Sequence, residues 1–399
     1  MKYDFDRVND RRNTCSSKWN VAPGELPMWV ADMDFRTAPE IIESLSQRVG
    51  HGIFGYTEPG DDWYESYISW WKRRHGWEID KDWMMFCTGV VPAISSIVRK
   101  LTTPNEKVLI QTPVFNIFFN SILNNGCRVS ESPLVYENGA YSIDFDDLDE
   151  KLADPQTSLM ILCNPHNPVG RIWTKEELAM IGELAVKHGV TVISDEIHCD
   201  IALPGTGYIP FASVSEDCAK CSITCIAPTK CFNLAGLQTA AIVVPDSFLR
   251  HKVWRAINTD EVAEPNVFAV TAAVAAFNKG EEWLDELNCY LAENRSIAVD
   301  YIRREIPEIK AIDGEATYLL WVDVSGIPVP AGTDRSLFAM ETIRKTTGLF
   351  VCEGSEYGDA GRDFLRINLA CPKAVLNDGL ERLKKGIAAC REAAGGMNE

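Results

Sequence analysis

Six short, β-prone and largely apolar runs alternate with helix-like stretches between residues 84 and 244, and this alternation limits the fold more than any other feature of the chain. The runs cover 84–87, 107–111, 158–163, 191–195, 222–226 and 239–244. Several are apolar almost throughout, as parallel strands covered on both faces must be. The stretch 175–188 between two of them has helical periodicity, a plausible N-cap in Thr174 and a stop at Gly189. The pattern predicts an open α/β sheet. Such sheets bind ligands beyond the carboxyl ends of their strands, so the residues that directly follow each run are where a site is expected.

The remaining sequence bounds the surroundings of that sheet. A chain of 399 residues is expected to form two domains. The boundaries expected are a large domain over 46–284, an N-terminal arm with part of a smaller domain over 1–45, and a small C-terminal domain over 285–399, with a long helical stretch over 281–304 leading into it. A net charge of −18 repels nucleic acid and anionic membrane surfaces. No apolar run reaches the roughly 20 residues of a membrane helix, and the start Met-Lys-Tyr-Asp-Phe lacks a signal-peptide core, so a cytoplasmic protein is expected. The 13 cysteines, scattered singly, read as reduced thiols. Cys218, Cys221 and Cys225 lack a fourth ligand or histidine pair nearby and read as a turn entering a strand, so no metal is expected.

Four segments follow predicted strands and carry polar groups. Thr88-Gly89-Val90-Val91-Pro92 is a strand-to-helix turn, which serves as an anion site or simply as a turn. Asn164-Pro165-His166-Asn167-Pro168 is a rigid loop in which the Asn167 amide can donate to a ligand oxygen, although turn chemistry alone also explains its composition. Ser194-Asp195-Glu196-Ile197-His198-Cys199-Asp200 ends an apolar strand in acidic groups, which call for a cation or a protonated nitrogen when buried. A metal is the competing reading there. In Ala227-Pro228-Thr229-Lys230, a lysine at a strand end can be desolvated into a base or nucleophile, whereas most lysines are solvated surface charges.

Taken in order, the glycine turn, the Asn-Pro loop, the strand-end aspartate and the Pro-Thr-Lys-x-Phe-Asn segment resemble the fold-type-I pyridoxal 5′-phosphate (PLP) enzymes over nearly the whole chain. The segments 26–35, 88–92 and 195–198 are similar to the cystathionine β-lyase branch of MalY and PatB. The resemblance implies a large domain with a mostly parallel seven-stranded sheet sandwiched by helices, and a smaller α+β domain. It implies that Lys230 anchors the cofactor covalently and that Asp195 pairs with its ring nitrogen. Asn167 then donates to the ring oxygen, with His198 near the same atom. Gly89, Val90, Val91 and Thr229 hold the phosphate, and Phe115 stacks on the ring. Arg366 grips the substrate carboxylate, with Val30 and Ala31 beside it. Tyr56 reaches the phosphate of a neighbouring subunit, so a homodimer with shared sites is implied.

Two positions depart from the wider aminotransferase pattern. Gln238 stands where an arginine commonly holds the phosphate, and Phe115 where a tyrosine commonly stacks. The reaction implied is β-elimination on sulfur amino acids, giving thiol, pyruvate and ammonia. An amino-acid aminotransferase uses the same groups, and a regulatory binding protein that retains the fold is the reading from another class. The stretches 115–123 and 351–358 are the expected substrate mouth.

Overall fold

The computed structural model describes residues 2–330 and 332–396. Its largest sheet has seven strands in the order Met84–Cys87, Ala240–Val243, Ser222–Ile226, Thr191–Asp195, Thr157–Cys163, Lys107–Ile110 and Arg128–Glu131. Neighbours from Ser222–Ile226 to Arg128–Glu131 run parallel. Ala240–Val243 is antiparallel to both its neighbours, which returns Met84–Cys87 to the common direction. The carboxyl ends of the parallel strands therefore open along one edge of the sheet. Register sets Cys163 beside Asp195 and Asp195 beside Cys225.

Alternate residues of these strands enter different cores. Met84, Phe86, Ile226 and Ala241 pack in one cluster, while Met85, Cys87, Cys225 and Ile242 pack in another. Burial on both faces explains why the runs lack polar alternation. One face is covered by the helix Asp61–His75, whose Trp63, Tyr67, Trp70 and Trp71 form a buried stripe at helical spacing. That stripe meets Phe277 of the helix Val267–Lys279 at ring-centroid distances of 4.6 Å from Tyr67 and 5.1 Å from Trp70. The helix Lys175–His188 begins in a capping box on Thr174 and Glu177 and ends at Gly189 with φ 70°, a left-handed conformation suited to glycine.

A second, four-stranded sheet runs in the order Lys310–Ala311, Leu319–Asp323, Phe364–Asn368 and Cys352–Glu353. The helices Arg335–Thr347 and Lys373–Gly396 pack together beside it. The long helix Glu281–Glu305 leads into this part as expected. Leu26–Pro27 pairs with Leu349–Phe350, and the chain then passes from this pair toward the edge of the large sheet.

Arg128–Glu131 has no counterpart among the six runs. It is an edge strand, Arg-Val-Ser-Glu, and polar residues are what an exposed edge favours. Cys218 and Cys221 lie in a short helix, Glu216–Cys221, capped by Ser215, rather than in a turn. All 13 cysteines are free thiols. Among the described residues, no helix is long and apolar enough to cross a membrane.

Candidate active site

A cavity of about 280 Å³ opens at the carboxyl edge of the large sheet, and every strand-end segment singled out above contributes to its wall. Lys230 follows the strand Ser222–Ile226 in a turn fixed by bonds from the Phe232 N–H to the Pro228 carbonyl and from the Leu234 N–H to the Thr229 carbonyl. Its Nζ donates to the Ala31 carbonyl at 2.7 Å. Burial, and then the nearby Arg366 guanidinium, lower its pKa to about 8. A lysine so placed is available as a neutral amine far more readily than a solvated one.

Asp195 ends the adjacent strand and is buried. Its Oδ1 accepts the Ile197 N–H at 3.1 Å. Burial raises its pKa to about 6, against the opposing pull of that N–H and of Lys230. A buried carboxylate with a single backbone donor leaves acceptor capacity for a protonated ligand atom. His198, one turn further on, is also buried; its Nδ1 has no hydrogen-bond partner, and burial holds it well below its usual pKa.

Asn167 lines the cavity, and its Oδ1 accepts from Arg366 Nη1 at 3.3 Å. The amide nitrogen is thereby left as the donor toward a ligand. Arg366 is itself buried, donates through Nη2 to the Trp29 carbonyl at 2.8 Å, and lies 4.9 Å from the ring centre of Tyr357. Its Nε has no partner. Nη1 and Nη2 are each held by a neighbour and Nε by none, and the N–H donors left over suit a carboxylate.

At the other end of the cavity, Thr88, Gly89, Val90 and Val91 precede and begin the helix Val90–Leu101, which has no side-chain cap. Gly89 has φ 172°, extended backbone open to any residue; its Cβ, however, would press within 3.2 Å of Pro92 Cδ. The first N–H groups of a helix have no intrahelical partner, so this end is built for an anion. Thr229 and Gln238 stand in the same wall, as does Phe115, whose ring meets Phe118 edge-on at 5.6 Å.

Three expected residues are not in the cavity wall: Arg366, Val30 and Tyr56. Ala31 lines the cavity, but Val30 does not; its carbonyl instead accepts from Asn368 Nδ2 at 2.6 Å. Tyr56 is fully exposed and lies outside the cavity. Residues that sequence reasoning passed over also belong here. Tyr318 donates its hydroxyl to Ala31 at 2.9 Å, and Asn368 also donates to the Asp32 carbonyl at 2.6 Å. Consecutive carbonyls of residues 29–32 thus hold Arg366, Asn368, Lys230 and Tyr318. Tyr318 lies 287 positions from its partner, and backbone carbonyls carry no side-chain signature, so only the pairing of Arg366 with Asn368 in one strand hinted at it.

Taken together, an anion cradle, an unpartnered imidazole nitrogen, an under-satisfied buried carboxylate and a reactive amine fit a ligand with a phosphate at one end and a protonated ring nitrogen at the other. The fold and this pocket define the class: the chain belongs to the aminotransferase class I and II family, whose model matches residues 26–383. Within that family it is 43% identical to cystathionine β-lyase PatB of Bacillus subtilis, over 96% of this chain and all of that one. Among solved structures it is similar to cystalysin from Treponema denticola, which contains pyridoxal 5′-phosphate, with a TM-score of 0.92, 34% identity, and 97% and 99% of the two chains covered. The PLP-bound C-S lyase from Staphylococcus hominis matches with a TM-score of 0.91 at 35% identity, over 97% of this chain and 98% of that one.

Proposed function

We propose that this protein is a PLP-dependent carbon–sulfur lyase that performs β-elimination on sulfur amino acids such as L-cystathionine, releasing thiol, pyruvate and ammonia. The observation that carries the reading is the depressed Lys230 amine in one cavity with Asp195, within reach of the Arg366 guanidinium. The likeness to lyases over nearly the full chain supports elimination over transamination. When bound, PLP supplies the electron sink for the carbanion formed at Cα.

The chain's own residues determine which bond breaks. Arg366 takes the substrate α-carboxylate through the N–H donors its present bonds leave over, while Asn167 holds Nη1. This fixes Cα beside Lys230, whose neutral amine removes the Cα proton. Asp195 would accept from a protonated ring nitrogen of the bound cofactor and so keep the proton there. His198 and Asn167 offer polar groups to the ring oxygen. The helix start at Gly89 to Val91 and the Thr229 hydroxyl would hold the phosphate, with Gln238 rather than an arginine beside them. The sulfur substituent at Cβ then leaves as thiolate.

Incubation of the purified protein with L-cystathionine alone is expected to release pyruvate and a thiol. Strict dependence on an added 2-oxo acid would show an aminotransferase instead.

The active form proposed is a homodimer in which Tyr56 contacts the phosphate in the partner's site. Ile53, Phe54 and Tyr56 are all exposed on the single chain, an apolar stretch that association would bury. Tyr56→Phe is expected to weaken PLP retention about tenfold, the worth of one hydrogen bond to a charged group. A monomer by light scattering, or unchanged retention on dialysis, would count against the shared site.

A further inference from the structure

The turn after the strand Thr191–Asp195 sends neighbouring side chains in opposite directions. His198 lines the cofactor cavity, whereas Cys199 and Asp200 line a second cleft of about 480 Å³ together with His75, the last residue of the helix Asp61–His75. The nitrogen, sulfur and oxygen ligand atoms of His75, Cys199 and Asp200 all lie within 4.8 Å of one another. His75 Nε2 is 2.9 Å from Asp200 Oδ1.

Two features set this cluster apart from an ordinary buried polar group. The Asp200 carboxylate is almost completely buried, yet the groups bonded to it are the Trp70 indole N–H at 3.0 and 3.1 Å, the Cys231 thiol at 3.8 Å and His75, none with a fixed charge. Arg74 attracts Asp200 through space but makes no hydrogen bond to it, and its guanidinium is paired with Glu281 and Asp285. Secondly, Asn288 lines the same cleft and donates Nδ2 to the Asp200 carbonyl at 2.9 Å, but its buried Oδ1 has no partner.

We propose that His75 Nε2, Cys199 Sγ and the Asp200 carboxylate form a binding site for a divalent cation of the Zn²⁺ class, with the fourth coordination position open to the cleft. One thiolate, one imidazole and one carboxylate select zinc or cobalt over magnesium or calcium, whose preferred ligands are all oxygen. Donors already this close need only small side-chain rotations to reach metal bonds of about 2.0–2.3 Å. On binding, the Cys199 thiol proton leaves to solvent and the His75 proton resides on Nδ1. The Trp70 N–H stays on the second carboxylate oxygen and orients it, the usual duty of an outer-shell partner. The cation supplies a positive charge bonded directly to a carboxylate that Arg74 reaches only through space. The site lies on the far side of the turn from the cofactor cavity and is independent of the lyase reading.

The test is a Co²⁺ titration of the chelator-treated, full-length PLP-loaded protein, read by visible d–d bands and competed with Zn²⁺. The expected result is one equivalent of cobalt per chain with bands of tetrahedral intensity, displaced by zinc. Cys199→Ser is expected to weaken binding by at least about 100-fold, because even outer-shell partners are worth ~10–100-fold. Should that variant fail to fold, His75→Gln must show the same loss. Cys289→Ser, which removes the exposed thiol at the mouth of the same cleft, must leave the bands unchanged. No stoichiometric band, a band that survives Cys199→Ser or His75→Gln, or one that disappears with Cys289→Ser would overturn the proposal.

Discussion

Lys230→Ala is expected to lose both the yellow absorbance of covalently held cofactor and nearly all turnover, with kcat falling by about 10⁴-fold or more. Two separate duties are removed at once. The amine is the covalent anchor, and it is also the group that moves the Cα proton, a role worth about 10²–10⁴-fold by itself. The structure supports both, because burial and Arg366 bring this lysine to a pKa of about 8 rather than the value near 10.4 of a solvated lysine. The fold should survive, since the amine's hydrogen bond is to one carbonyl, that of Ala31, which Tyr318 also holds. Far-ultraviolet circular dichroism and absorbance on the same sample check this. A folded variant that keeps a covalently bound cofactor would contradict the assignment.

The second large effect is expected at Asp195. In the free protein, burial lifts its pKa to about 6, so it is mostly ionised at pH 7. A protonated ring nitrogen set against it would pull that value back down, and the carboxylate would reciprocally keep the nitrogen charged. Asp195→Ala removes this coupling in a site of low dielectric. The expected loss is about 10²–10³ in kcat, or ~2.7–4 kcal/mol of transition-state stabilisation. Binding of the substrate carboxylate depends on Arg366 and is left intact, so KM should move little. A kcat that stays within about tenfold of the parent, with KM raised instead, would place Asp195 in substrate binding rather than in charge stabilisation.

Sequence patterns revealed six of the seven strands, including the apolar edge Met84–Cys87, but not the polar edge Arg128–Glu131. The apolar runs 84–87, 191–195 and 222–226 coincide with observed strands, because a strand buried on both faces has no choice but to be apolar. Arg128–Glu131 obeys the opposite rule and passed for a connection. The cavity wall was legible for a similar reason, since Asp195 ends a strand and Gly89, Asn167 and Lys230 lie in the segments that follow one. What escaped was the segment that ties the cavity's residues together from behind. Residues 29–32 act through backbone carbonyls on Arg366, Asn368, Lys230 and Tyr318, and hydrogen bonds between segments hundreds of positions apart leave no local trace. The cluster of His75, Cys199 and Asp200 was hidden in the same way, because one member comes from a different helix.

The claim that matters most is that this pocket cleaves a carbon–sulfur bond, and the product balance from L-cystathionine in the absence of any 2-oxo acid tests it most directly. The account predicts homocysteine, pyruvate and ammonia in equal amounts over many turnovers. An intact carbon–sulfur bond, with the amino group passing only to an added 2-oxo acid, would contradict it.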